Sequence, residues 1–390
     1  MVGRLLRGMF MRLDDLRTPS LILDRTRLEK NIARLQGRAR ELGVALRPHL
    51  KTAKSARVAE LATGGRGPIT VSTLAEASYF ARHGFHDITY AVPVVPAKLD
   101  TVAALLAKGV DLKLIADNVV VAKAIGERGR ALGVTFRVLI KIDTGLGRAG
   151  IAADAAELLP IAEALRGPSA ALAGVLAHAG HSYNAGSIEE IKEIAEAERA
   201  GVVRAAERLR QAGHTCPIVS VGSTPTAIHA ETLDGVTEMR PGNFVFFDLF
   251  QLGIESCQVN EIAVSVLASV TGHHRERNHI LIDAGGLALS KDTGANRNAP
   301  GTGYGLVCLP GGKVPLPGLA VVDVHQEHGL VGHQRGLDAI NKLPFERFPI
   351  GSRLRVLPNH VCMTAAMYDR YYVTEGSTEI IDEWDRVNGW

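Results

Sequence analysis

The chain has 390 residues, 46% hydrophobic and 22% charged, with a formal net charge of +3. That balance is globular and excludes a disordered chain, and so small and evenly spread a charge excludes a nucleic-acid-binding face. No apolar run approaches the ~18–20 residues that cross a bilayer, and the scattered Cys216, Cys257, Cys308 and Cys362 suit a reducing cytoplasm.

Met1–Phe10 carries two arginines and no acid, but no apolar core and no cleavage site. A disordered extension is expected there, with Met11 as an alternative start. Ser20–Leu23 reads as a strand that can pair with a later domain. A helix is predicted from Arg27 to Leu42, with the capping pair Thr26/Glu29 and the terminator Gly43. Short β-branched runs then alternate with amphipathic stretches. Predicted strands are Val44–His49, Ile69–Ser72, Asp87–Val92, Asp111–Ala116, Phe136–Asp143, Leu172–His178, Ile218–Gly222 and Val236–Arg240. The clearest helix runs from Ser187 to Ala212, with a Ser187/Glu190 capping box, apolar Ile191, Ile194, Val202 and Leu209, and Gly213 as its stop. This alternation predicts an α/β fold, a (β/α)8 barrel over residues 25–258. From about Glu261 the rhythm changes to strands linked by Gly/Pro-rich loops: Ile262–Thr271, His279–Asp283, Leu319–Val324 and Arg353–Leu357. Residues 259–390, with 11–24, are therefore expected to form a C-terminal, mostly-β domain.

Active sites of such barrels lie at the C-terminal ends of the strands. Those ends carry Lys51, Ser72-Thr73, Arg148, His178, Gly222-Ser223-Thr224 and Arg240-Pro241-Gly242-Asn243. A lysine there can be desolvated enough to form a Schiff base. The Gly-Ser-Thr turn can offer N–H groups to a phosphate. Each feature alone has an ordinary structural reading: a surface charge, a capped turn, a hydrogen-bonded core histidine, an ion-pair partner. Together they fit pyridoxal 5'-phosphate, its aldehyde at Lys51 and its phosphate at Gly222–Thr224 and Gly242.

In the second domain, His360-Val361-Cys362 follows a predicted strand. In extended backbone, residues i and i+2 share a face, so imidazole and thiolate can converge on one ion. Such ligands favour zinc, with manganese or magnesium as alternatives. Asp323, Glu327 and His328 could support such a pair, but a structural role suits them better. His273-His274 beside Arg275, Glu276 and Arg277 reads as a solvated turn, and Cys216, Cys257 and Cys308 as packing residues.

Arg47-Pro48-His49-Leu50-Lys51-Thr52-Ala53-Lys54 resembles the Arg-Pro-His-x-Lys-Thr-x-Lys motif of the D-serine dehydratase and D-threonine aldolase family. That family belongs to the alanine-racemase-like, fold-type III pyridoxal-phosphate enzymes. The resemblance runs from about Leu13 to Val373 and includes Gly222-Ser223-Thr224-Pro225-Thr226 and Pro358-Asn359-His360-Val361-Cys362. It implies that Lys51, not Lys54, carries the cofactor. It also implies that Arg148 meets the cofactor's phenolic oxygen, that His178 lies near its ring, and that Tyr183 faces its pyridine nitrogen. A neutral phenol at that nitrogen favours prompt loss of a β-group. His360 and Cys362 match the dehydratases' metal pair, whereas the aldolases more often carry His-x-Asp. One departure stands in the motif: Ala53 occupies a place where histidine is common.

The expectation is a metal-assisted lyase acting on small D-3-hydroxy amino acids such as D-serine or D-threo-3-hydroxyaspartate, giving a 2-oxo acid and ammonia. The runner-up is retro-aldol cleavage to glycine and an aldehyde. A non-catalytic pyridoxal-phosphate carrier is a distant alternative, opposed by the second domain and the His-x-Cys pair. The resemblance further implies a head-to-tail homodimer.

Overall fold

The structure, a computed structural model, describes residues 11–312, 314–334 and 342–390. The extension Met1–Phe10 lies outside the described residues. The chain divides into two compact units. One is Ile32–Phe244 with Val387–Trp390, and the other is Val245–Arg386 with the segment ending at Asn31.

In the first unit, eight parallel strands pair in the order Ala45–Leu46, Glu238–Met239, Ile218–Val221, Ala170–Leu176, Phe136–Asp143, Asp111–Ala116, Asp87–Pro93 and Ile69–Val71. A bridge between His49 and Thr70 joins the two ends of that row. There the Leu50 N–H donates to the Thr70 carbonyl at 2.8 Å, and the Thr70 N–H to that of Pro48 at 3.0 Å. The row is thus a closed barrel, as the alternation predicts. Ile88, Leu112, Leu114, Val138, Ile140, Val175 and Val219 are fully buried, which is why the strands read as continuous apolar runs. Ala45–Leu46 and Glu238–Met239 are shorter than predicted. Pro48 and Pro241 follow them, and proline has no N–H to carry a ladder onward.

Charge also enters this barrel. Arg47 donates to Glu238 at 2.7 Å and to Asp87 at 2.7 Å. Lys113 reaches Asp87 at 2.6 Å and Asp111 at 2.7 Å, and Arg137 meets Asp111 at 2.6 Å. Arg47, Lys113 and Glu238 are all buried, so the pairing compensates charges that would be costly alone.

In the second unit, nine strands form one sheet. Its order is His279–Ile282, Gly329–His333, Leu319–Val324, Leu306–Cys308, Arg353–Leu357, Val264–His274, Ser20–Asp24, Arg370–Thr374 and Asp382–Asp385, with His279–Ile282 also pairing Val264–His274. Ser20–Asp24 runs antiparallel to Val264–His274 and parallel to Arg370–Thr374.

Two readings of the sequence need correction. The first helix is Arg25–Glu41. The chain turns into it directly from the Ser20–Asp24 strand, so Asp24, not Thr26, accepts the Arg27 N–H at 3.2 Å. His273 and His274 are no solvated turn; they end the strand Val264–His274, where the His273 Nε2 bonds the Phe348 carbonyl at 2.7 Å. Among the described residues, no helix is long and apolar enough to cross a membrane.

Candidate active site and metal pair

Lys51 lies in the turn just past the His49–Thr70 bridge, and its side chain is exposed. The His49 Nδ1 accepts the Lys51 N–H at 3.4 Å, so the ring proton falls on Nε2, which faces the Ser72 Oγ at 3.4 Å. Burial, then the charges of Lys51, Arg240 and His178, push His49 well below the usual imidazole range. It is therefore neutral at pH 7.

His178 follows the strand Ala170–Leu176. Its Nδ1 bonds the Gly222 carbonyl, which can only accept, so the proton sits on Nδ1. Burial, and then the charge of Lys51, keep this ring neutral too. Tyr183 stands on the short turn Gly180–Asn184 directly after it. Arg148 is exposed at the end of a loop that leaves the strand Phe136–Asp143. The Asp143 carboxylate shapes that loop by accepting the Gly145 N–H at 3.1 Å and the Gly147 N–H at 3.0 Å.

The Gly222-Ser223-Thr224 turn opens the helix Thr224–His229 and is buried. Gly222 has φ +155°, and an added Cβ would lie 2.7 Å from the Arg240 backbone nitrogen. Two of the turn's amides are spoken for: Gly222 donates to Glu198 at 3.1 Å and Ser223 to Thr226 at 3.2 Å. The amides of Thr224 and Gly242 donate to no acceptor among the described residues. An added Cβ on Gly242 would lie 2.7 Å from the His49 carbonyl oxygen, so only glycine brings that amide so close to the Lys51 turn. Asn243 is buried beside it.

Sequence reasoning missed two residues of this mouth, His49 and Lys141, and placed Arg240 at a strand end without giving it a role. Lys141 is 5% exposed, and burial, followed by the charges of Arg240 and Arg148, lowers its ammonium to about 7. Arg240 is 3% exposed and donates to the Ser220 Oγ at 2.7 Å and to the Ala177 carbonyl. His49 was visible in the motif, but nothing in the spacing showed that its ring turns toward the lysine. Lys141 reads as one more polar position in a strand.

Lys51, Lys141, Arg148 and Arg240 gather positive charge that suits a phosphate and a carboxylate. The Thr224 and Gly242 amides await an anionic acceptor, and Lys51 offers an open amine. These residues fit pyridoxal phosphate.

In the second unit, His360 precedes the single-turn helix Val361–Ala365. Extended backbone therefore does not bring His360 and Cys362 together; the first turn of this helix does, near enough for Cys362 to raise the imidazole. The His360 Nδ1–H donates to the Asp292 Oδ2 at 2.7 Å. Burial alone would lower the imidazole, but Asp292 and Cys362 raise it to about 11. Asp248 accepts the Val361 N–H at 3.0 Å and fixes the turn. The carboxylate that supports His360 is thus Asp292 rather than Asp323 or Glu327. It lies 68 residues away in sequence, and no spacing rule could find it. Imidazole and thiol side by side, with a carboxylate holding the ring, fit a divalent metal ion.

Two family models match the chain: "Alanine racemase, N-terminal domain" over residues 23–249 and "Putative serine dehydratase domain" over residues 263–374. The D-threo-3-hydroxyaspartate dehydratase of Delftia sp. (strain HT23) is 46% identical over 378 residues, 96% of this chain and 98% of that one. The chain belongs to the D-serine dehydratase and D-threonine aldolase family. Within that family, the D-serine dehydratase of Dictyostelium discoideum is 30% identical over 406 residues, 97% of this chain and 98% of that one. A solved structure of a D-threo-3-hydroxyaspartate dehydratase, a cysteine-to-alanine mutant in the metal-free form, is 45% identical. It covers 97% of this chain and 100% of its own, with a TM-score of 0.93.

Proposed function

We propose that this protein is a pyridoxal-phosphate- and metal-dependent dehydratase of D-3-hydroxy amino acids, of the D-threo-3-hydroxyaspartate or D-serine type. The observation that carries the reading is the His360–Cys362 pair backed by Asp292, in a chain with a lysine-bearing barrel mouth and full-length similarity to a dehydratase. The net reaction converts the amino acid to a 2-oxo acid and ammonia; the β-hydroxyl leaves as water, and water returns when the nitrogen departs.

Bound pyridoxal phosphate supplies an electron sink at the α-carbon, and a divalent ion polarises the β-hydroxyl. Lys51 would hold the cofactor, and its free amine would serve as the base for the α-proton. The Thr224 and Gly242 amides take the phosphate, with Gly222, Ser223 and Asn243 shaping the turn around it. Arg148, His178 and Tyr183 would hold the cofactor's ring, as the resemblance implies, with His178 kept neutral by burial and the charge of Lys51. His360 and Cys362 hold the ion, zinc by preference, while Asp292 fixes the imidazole's tautomer. The protein acts as a head-to-tail homodimer in the cytoplasm.

The test is incubation with D-serine, D-threonine and D-threo-3-hydroxyaspartate, with 2-oxo acid and glycine measured separately. Oxo acid with ammonia is expected. Glycine with an aldehyde would make the protein an aldolase instead.

A further inference from the structure

The second lysine of the Arg-Pro-His-x-Lys-Thr-x-Lys run has no place in that chemistry, yet it is held in a demanding position. Lys54 has φ +50°, a left-handed conformation unusual for a residue with a side chain. Its ammonium bonds the Glu76 carboxylate, which is 1% exposed. The other Glu76 oxygen accepts the Ser72 N–H at 2.7 Å. Ser72 Oγ lies 3.4 Å from the His49 Nε2, and the His49 Nδ1 accepts the Lys51 N–H at 3.4 Å. The Lys54 N–H closes the path by donating to the Leu50 carbonyl at 2.7 Å. The result is a ring of hydrogen bonds, Lys51–His49–Ser72–Glu76–Lys54–Leu50, that encloses the turn bearing Lys51.

We propose that Lys54 and Glu76 are positioning residues for Lys51: their buried ion pair fixes the 49–54 turn, and with it the direction of the Lys51 amine. Three observations carry this. Glu76 spends both oxygens inside the ring, one on each of the two segments that meet at the barrel's closing bridge. The left-handed backbone at Lys54 is tolerated where surrounding bonds over-determine it. The ring also passes through His49, whose neutral imidazole accepts the N–H of Lys51 itself. A lysine at 54 rather than a neutral residue is explained, because a buried carboxylate requires a charged partner.

The inference rests on Lys51 as the cofactor's lysine, and the experiment separates the two claims. The full-length protein and its Lys54→Met, Lys54→Arg and Glu76→Gln variants are stripped of cofactor. Uptake of added pyridoxal phosphate is followed by the visible band, and the modified lysine is identified after borohydride reduction. Lys54→Met and Glu76→Gln should still take the cofactor on Lys51, but more slowly. Their kcat should fall about 10–100-fold, the cost of a misplaced reacting group, while KM stays within about threefold. Lys54→Arg should recover most of both rates. Should Lys54→Met fail to give a cooperative melt, Glu76→Gln decides by the same readings. Wild-type uptake and kcat in the folded variants would overturn the proposal, as would a loss confined to thermal stability. A wild-type protein that loads Lys51 but forms no oxo acid would contradict the function, and the uptake rates would still decide the role of Lys54.

Discussion

Lys51 is exposed in the barrel mouth, whereas Lys54, three positions on, spends its charge on a buried carboxylate. Lys51→Ala should therefore abolish the visible band and essentially all turnover, because the cofactor's anchor and the α-proton base vanish together. Lys54→Ala should retain the band at saturating cofactor. A borohydride-reduced peptide map with the cofactor on Lys54 would contradict both expectations. Asp292 offers a second test at this scale. Asp292→Asn keeps a hydrogen-bond partner for the His360 Nδ1–H but removes its charge, and should weaken metal binding about 10–100-fold. Metal content after dialysis against graded chelator reads this directly, and wild-type retention would rule out the supporting role. Lys51, His178, the Gly222 turn and Arg240 could be placed at strand ends from the sequence because a repeating β/α pattern announces those ends. Asp292, Lys141 and Glu76 were not, because their significance lies in which side chain they meet across the fold.

Among the elements, the strand ends at Gly222 and Arg240 show how closely the mouth is built. Gly222→Ala would drive a methyl against the Arg240 backbone, displacing the Ser223-Thr224 turn. A loss of about 1–3 kcal/mol in chemical denaturation is expected, with weaker cofactor retention. Wild-type stability would mean that the two strands can part without cost. The helix Ile188–Gln211 was read nearly to the residue because its signals are local: Ser187 accepts the Glu190 N–H at 3.1 Å, and Glu190 reaches back to the Gly186 N–H at 2.7 Å. Leu306–Cys308, Gly329–His333, Arg370–Thr374 and Asp382–Asp385 were not anticipated. Each is three to five residues long, too short to show a period, and becomes a strand only through its neighbours in the sheet. The same holds for His360, which caps a single helical turn in a segment that reads as extended.

Across the whole barrel, buried Arg47, Lys113 and Glu238 are tied to the half-exposed Asp87, Asp111 and Arg137 in one charge network. Burial alone would raise the Asp87 carboxyl, but Arg47 and Lys113 hold it below its ordinary value. Its contribution to stability is thus complete above the unfolded carboxylate value, about 3.9. That contribution fades as pH falls through the lower folded value. Arg47→Met should lower stability by about 3–5 kcal/mol by leaving buried acid without its partner, and should flatten the acid limb of the melting temperature against pH. An unchanged acid limb would show that the pairing at Asp87 contributes nothing to folding. The central claim, that one chain joins a lysine-held cofactor to a thiolate–imidazole metal pair for β-elimination, is tested most directly by metal removal. Wild-type protein is freed of metal by chelation and assayed with D-threo-3-hydroxyaspartate before and after zinc is restored, with the visible band recorded throughout. An unchanged band, no oxo acid without metal, and recovery of oxo acid and ammonia with zinc are expected; full turnover in the metal-free protein would remove the metal from the reaction.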